Sequence, residues 1–140
     1  MKVNFILINK NNFSKACSIY LYNKIIKAKN ILIPGGNSIK KIYSYLSKLD
    51  KFKKKCFYLT DERITLNKKE TNSSMINNLF IKKKKIDLKS FNHEFTSNDK
   101  IISNYRPIPK KFDLLILSFG VDGHIASIFF DNRKVKKFKK

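Results

Sequence analysis

Apolar and polar positions divide this chain into short apolar runs and longer segments that are apolar on one side only. Val3 to Ile8, broken by Asn4, reads as a strand. Phe13 to Ala28 carries Phe13, Cys17, Tyr20, Leu21 and Ile25 at three- and four-residue offsets, the spacing of an amphipathic helix. Asn30 to Pro34 is a second strand. Ser38 to Leu49 is a second helix with Ile39, Ile42, Tyr43, Leu46 and Leu49 on one face, ended by the charged loop Asp50 to Lys55. Cys56 to Thr60 is a third strand, and a polar loop leads from it to a helix over Ser73 to Phe80. Lys82 to Lys85 then mark an exposed turn. Ser90 to Phe95 reads as a strand and Asn98 to Tyr105 as a short helix, with Pro107 and Pro109 breaking what precedes them. Phe112 to Phe119 is an almost unbroken apolar run, as expected of a strand at the centre of a parallel sheet covered on both faces. A further helix starts over Ile125 to Phe129.

Alternating strands and helices predict an α/β fold, Rossmann-like, with an open, mainly parallel sheet and helices on both faces. Its site belongs at the carboxyl ends of the strands. A length of 140 residues suits one domain, read here as residues 1–130 followed by a basic tail, 131–140. The 42% hydrophobic content, with twelve Phe and six Tyr, argues for a folded body rather than a disordered one.

Charge changes the picture less than its size implies. The formal net charge is +21, yet Arg63, Arg106 and Arg133 are the only arginines among 31 basic residues. Arginine's planar fork is the preferred reader of phosphate and guanine. Its scarcity, beside abundant Lys, Asn, Ile, Phe and Tyr, points to an A/T-rich gene rather than to a specific nucleic-acid reader. The positive field still favours an anionic ligand. Cys17 and Cys56 are far apart and belong to no metal-ligand pattern, as expected of free thiols in a reducing compartment. No run is long enough to span a bilayer, so the expectation is a cytoplasmic protein with no membrane partner.

Candidate chemistry lies in three loops. The chain has four glycines, Gly35, Gly36, Gly120 and Gly123, and all fall in strand-to-helix turns. Such placement points to backbone angles or close approaches that a β-carbon would forbid. Pro34-Gly35-Gly36-Asn37-Ser38 offers free N–H groups and a helix start to an anion such as phosphate, although it matches neither a P-loop nor GxGxxG. In Asp61-Glu62-Arg63, the arginine can grip a phosphate while Asp61 orients a hydroxyl, or the triplet forms local surface ion pairs. Gly120-Val121-Asp122-Gly123-His124 sets an imidazole beside a carboxylate at the top of the last strand, where a histidine can take a proton from water. His93 lacks such a setting and is read as incidental.

In order and spacing these segments resemble the 6-phosphogluconolactonases, within the group that also holds the glucosamine-6-phosphate isomerases. The first loop is similar to that family's Ser-Gly-Gly-Ser-Thr-Pro, the second matches its Asp-Glu-Arg, and Gly120 to Phe129 matches its Gly-x-Asp-Gly-His-x-Ala-Ser-Leu-Phe. Arg63, and Ser127-Ile128-Phe129-Phe130 in place of Ala-Phe-Asn-Glu-Pro, favour the lactonase branch over the isomerase branch.

The resemblance implies hydrolysis of 6-phosphoglucono-δ-lactone to 6-phosphogluconate, a step of the pentose phosphate pathway, without metal or organic cofactor. It also implies site roles. His124 activates water and Asp122 orients it or the substrate. Gly35, Gly36, Asn37, Ser38, Asp61, Arg63 and Gly123 hold the substrate and its phosphate.

Pro34, Asn37-Ser38-Ile39 and Phe130 depart from the family's pattern. The chain also stops soon after Phe130, short of the family's C-terminal strands and their basic residues. That leaves a central strand at an edge, for a second copy or another partner to cover. The alternatives are a shortened homologue that only binds sugar phosphate or is inactive, and an isomerase-like enzyme.

Overall fold

The computed structural model describes residues 3–63, 65, 67–84, 86–89, 92–95, 101–104, 108–120 and 123–126. Strands β1 (Asn30–Ile33), β2 (Cys56–Leu59), β3 (Asp87–Lys89) and β6 (Leu114–Leu115) form one parallel sheet in the order β3-β2-β1-β6. Between them in sequence, β4 (Asn92–Phe95) and β5 (Ile101–Asn104) pair as an antiparallel hairpin. The helices are α1 (Phe13–Ile25), α2 (Lys40–Leu46), α3 (Asn72–Ile76) and α4 (Lys82–Lys84), with a π-helical turn, Asn77–Ile81, joining the last two.

Alternation along the strands decides where the core sits. Ile31 lies opposite Phe57 and Leu114, and Ile33 opposite Leu59, so these residues share one face. Ile31, Ile33, Phe57 and Leu59 are fully buried there, in one cluster with Ile25 of α1, Ile42, Tyr43 and Leu46 of α2, and Ile76 of α3. The π turn contributes Phe80 and Ile81, adjacent in sequence and both buried. Phe80 is the hub. Its ring meets Phe52 at 5.0 Å and Phe57 at 5.4 Å edge-on, and stacks on Tyr43 at 6.0 Å. Each such ring contributes about 2–3 kcal/mol by leaving water.

The other face carries Tyr58, covered by the Phe112 ring at 5.2 Å, and the outward residues that follow in β6 and beyond it. Among the described residues Leu114 and Leu115 alone of Phe112 to Phe119 pair in the sheet, and β6 lies at its edge, as expected of a central strand left without its later neighbours; Leu115, Leu117 and Phe119 are exposed while Ile116 is buried.

Asp113 fixes the start of β6. Its carboxylate accepts from the N–H of Lys29 at 2.9 Å and of Asn30 at 2.8 Å, and its own N–H donates to the Asn30 carbonyl at 2.9 Å. The two backbone donors hold the carboxyl below its ordinary pKa.

Other elements differ from expectation. Residues 3–9 pair with no described strand, and Phe5 and Leu7 are 89% and 98% exposed. The predicted helix over Asn98 to Tyr105 gives way to β5, since Ile101 and Ile102 suit a strand as well as a helix. Lys82–Lys84 continue the helix rather than turning, and Lys84 pairs with Asp50 at 2.9 Å. The predicted helix over Ile125 to Phe129 is not seen at its start, where Ile125 bridges back to Phe119; residues 127–129 lie outside the described residues, as does the tail 131–140.

Candidate active site

From β1 the chain runs outward through β2 to β3, then returns to β6 on the other side of β1. The order therefore reverses between β1 and β6. At such a reversal the loops at the carboxyl ends part and leave a crevice. A cavity of about 720 Å³ opens there, lined by Pro34 to Ser38 after β1, Asp61 and Arg63 after β2, Asn72 of α3, Ser118 to Gly120 beyond β6, and His124 and Ala126.

The turn after β1 is set from below and from the side. Tyr43, buried in the core, donates its hydroxyl hydrogen to the Pro34 carbonyl at 2.5 Å, and burial raises its pKa well above the usual phenol value. Gly35 is needed because Asn72 presses on it: a β-carbon there would stand 2.6 Å from Asn72 Nδ2. Asn37 and Ser38 open a 3₁₀ turn into α2, and no described residue accepts from their N–H groups.

In the second loop, the structure separates the two readings of the triplet. The Glu62 carboxylate is engaged by backbone: it accepts from the N–H of Arg63 at 2.8 Å, of Asn72 at 2.5 Å and of Ser73 at 3.0 Å. It thus caps α3, helped by Thr71, whose Oγ1 accepts from the Ser74 N–H at 3.1 Å. Arg63 is exposed, and its guanidinium makes no ion pair among the described residues. Arg63 also lines the cavity. Asp61 accepts from the Thr60 hydroxyl at 3.0 Å.

The third loop is a tight reversal. The Gly120 N–H donates to the His124 carbonyl at 2.9 Å, and the Gly123 N–H to the Gly120 carbonyl at 3.0 Å. Gly123 has φ of 85°, and Ala126 takes φ of 52° despite its β-carbon, a conformation costing about 1 kcal/mol or more. His124 sits half-buried between these two left-handed residues on the cavity wall.

Gly35, Gly36, Asn37, Ser38, Asp61, Arg63 and His124 thus come to one cavity, and Gly123 shapes its third loop. Asp122 lies outside the described residues. His93 sits in β4 opposite Ser103, in the separate hairpin. Asn72 and Ser118 are lining residues that the sequence reading passes over; for Asn72, Thr71-Asn72 ahead of an apolar run, the look of a helix start, was the signal available. Among the described residues no group of three or more His, Cys, Asp or Glu could hold a metal, and no helix is long and apolar enough to cross a membrane.

A Gly-Gly turn, an Asp-Glu-Arg loop and a Gly-His reversal thus meet at the switch point of a Rossmann-like sheet. The family described as glucosamine-6-phosphate isomerases/6-phosphogluconolactonase matches residues 15–140, and the chain belongs to it. A probable 6-phosphogluconolactonase of Dictyostelium discoideum is 32% identical over 155 residues, covering 94% of this chain and 64% of that relative. The 6-phosphogluconolactonase of Thermotoga maritima is 31% identical over 118 residues, covering 76% of this chain and 53% of its own length. The chain thus spans less than two thirds of either relative.

Among solved structures, 6-phosphogluconolactonase from Thermotoga maritima superposes with a TM-score of 0.70 at 23% identity, over 96% of this chain and 67% of that one. The Trypanosoma brucei enzyme gives 0.64 at 19% identity, over 96% and 65%. These two likenesses establish the shared fold.

Proposed function

We propose that the cavity binds a phosphorylated sugar lactone and that the chain hydrolyses 6-phosphoglucono-δ-lactone to 6-phosphogluconate. The observation that carries this is the meeting around one cavity of His124, Arg63, which is in no ion pair among the described residues, and the N–H groups of Asn37 and Ser38, which no described residue engages. Names of the curated relatives support the same substrate. A net charge of +21 adds a field that draws in such an anion.

In this reading the phosphate is held by Arg63 and by the turn Gly35 to Ser38, with Asp61 on a sugar hydroxyl. The lactone carbonyl then faces His124. Its imidazole takes a proton as a water oxygen bonds to the carbonyl carbon. The tetrahedral adduct collapses by breaking the ring C–O bond, and the ring oxygen leaves as a hydroxyl after receiving the proton from the imidazolium. The acid formed ionises to the carboxylate. A lactone is an activated ester, so the step needs neither a covalent nucleophile nor a cofactor. Asp122, two residues before the histidine, is assigned to orienting it on the strength of the sequence motif.

The test is lactone hydrolysis by purified protein, measured above the spontaneous rate. His124→Ala should lower the catalysed rate by about 10²–10⁴-fold with the fold intact by circular dichroism. Unchanged turnover in that variant removes the histidine from the chemistry. A wild-type rate equal to the spontaneous one, with 6-phosphogluconate still binding, leaves a sugar-phosphate binder without turnover. That second reading draws on the share of the relatives' length which this chain spans.

A further inference from the structure

Asn72 is 4% exposed, yet it lines the cavity. Its two polar ends are in different positions. The carboxamide nitrogen donates to the Asp61 carbonyl at 3.3 Å. A carbonyl oxygen can only accept, so the atom facing it is the NH₂ group, and the orientation of the amide follows. The amide oxygen, Oδ1, accepts no hydrogen bond from any described residue.

A buried acceptor without a donor costs about 1–3 kcal/mol, so such groups normally have a partner. The side chain cannot turn to find one. Gly35 packs against its carboxamide from one side, the Asp61 carbonyl holds the nitrogen from another, and its backbone N–H is tied to Glu62.

Building on the sugar-phosphate reading above, we infer that Asn72 contacts the substrate, its Oδ1 accepting a hydrogen bond from one hydroxyl of the sugar. The polarity of the atom selects the class of group. The phosphate ester and carboxylate of such a ligand are mostly ionised at neutral pH and present acceptor oxygens that an amide oxygen repels, whereas a hydroxyl donates. Asn72 therefore marks the hydroxyl-bearing part of the ligand, and the Asn37, Ser38 and Arg63 donors mark its phosphate. The same residue braces the Gly35 turn against the Asp61 loop, so one side chain both spaces two walls of the cavity and reads what lies between them.

Calorimetric titration tests this with 6-phosphogluconate, a panel of its analogues each lacking one hydroxyl, and inorganic phosphate. In the unsubstituted protein one deoxy analogue should bind about tenfold more weakly than the parent compound. In Asn72→Ala that analogue and the parent should bind alike, and continued binding of inorganic phosphate shows that the cavity still forms. Equal discrimination in both proteins would overturn the contact. So would a wild-type protein indifferent to every deletion, a result that needs no folded variant. Should inorganic phosphate and 6-phosphogluconate both fail to bind the wild type, the sugar-phosphate reading itself falls, and the contact with it.

Discussion

Tyr43 illustrates how single residues carry the site into the core. Its ring stacks on Phe80 while its hydroxyl holds the Pro34 carbonyl, so the turn proposed to hold the phosphate is anchored to a fully buried ring of the core. Tyr43→Phe keeps the ring but orphans the carbonyl. The expected loss is about 1–2 kcal/mol in denaturant unfolding, with weaker binding of inorganic phosphate as the turn loosens. Loss of stability without any change in phosphate affinity would detach the turn from ligand binding. Burial raises the phenol pKa, so the stabilising hydrogen bond is complete below the ordinary phenol range and is lost only as the pH rises through the higher folded value. At this scale much was legible beforehand. Four glycines in a glycine-poor chain pointed to the turns, and the close approach at Gly35 is real. The role of its partner, Asn72, was not legible, because the look of a helix start does not say that the fold brings this asparagine against a glycine 37 residues earlier in the chain.

Among elements, the junction of β1 and β6 depends on one carboxylate. Asp113 accepts two backbone N–H groups in the fold, which lowers its pKa below the unfolded value. A depressed carboxyl stabilises above its unfolded pKa, and the contribution disappears as the pH falls through the folded one. Asp113→Asn, which cannot titrate, is expected to be less stable near neutrality and to lose less on acidification, as read from denaturation midpoints against pH. Parallel pH profiles for the two proteins would show that the carboxylate does not govern the acid limb. The strands β1 and β2 and helices α1 and α2 followed from periodicity because each has a face matched to one core. Short apolar runs were ambiguous: Ile101 and Ile102 fit either period, and the sheet position of residues 112–119 depends on neighbours that no local pattern encodes.

For the molecule as a whole, the exposed side of the β6 segment sets the solution behaviour. Leu115, Leu117 and Phe119 form an exposed apolar row on a strand that is the edge of the sheet among the described residues, a combination that favours association. Sedimentation should therefore show concentration-dependent assembly, and Leu117→Lys should shift the protein toward monomer. Wild-type protein monomeric at every concentration would mean that this edge is tolerated bare.

The cavity also lies across the narrowest seam of the sheet. β1 meets β2 along four residue pairs but meets β6 along two, closed by the N–H groups of Asp113 and Ile116 donating to Asn30 and Leu32. A seam held so briefly should breathe ahead of the rest of the sheet, so the Ile116 amide should trade its hydrogen for deuterium sooner than the amides between β1 and β2. A ligand touching both walls would act as a clasp, and slowed exchange at Ile116 would report its arrival before any product is formed.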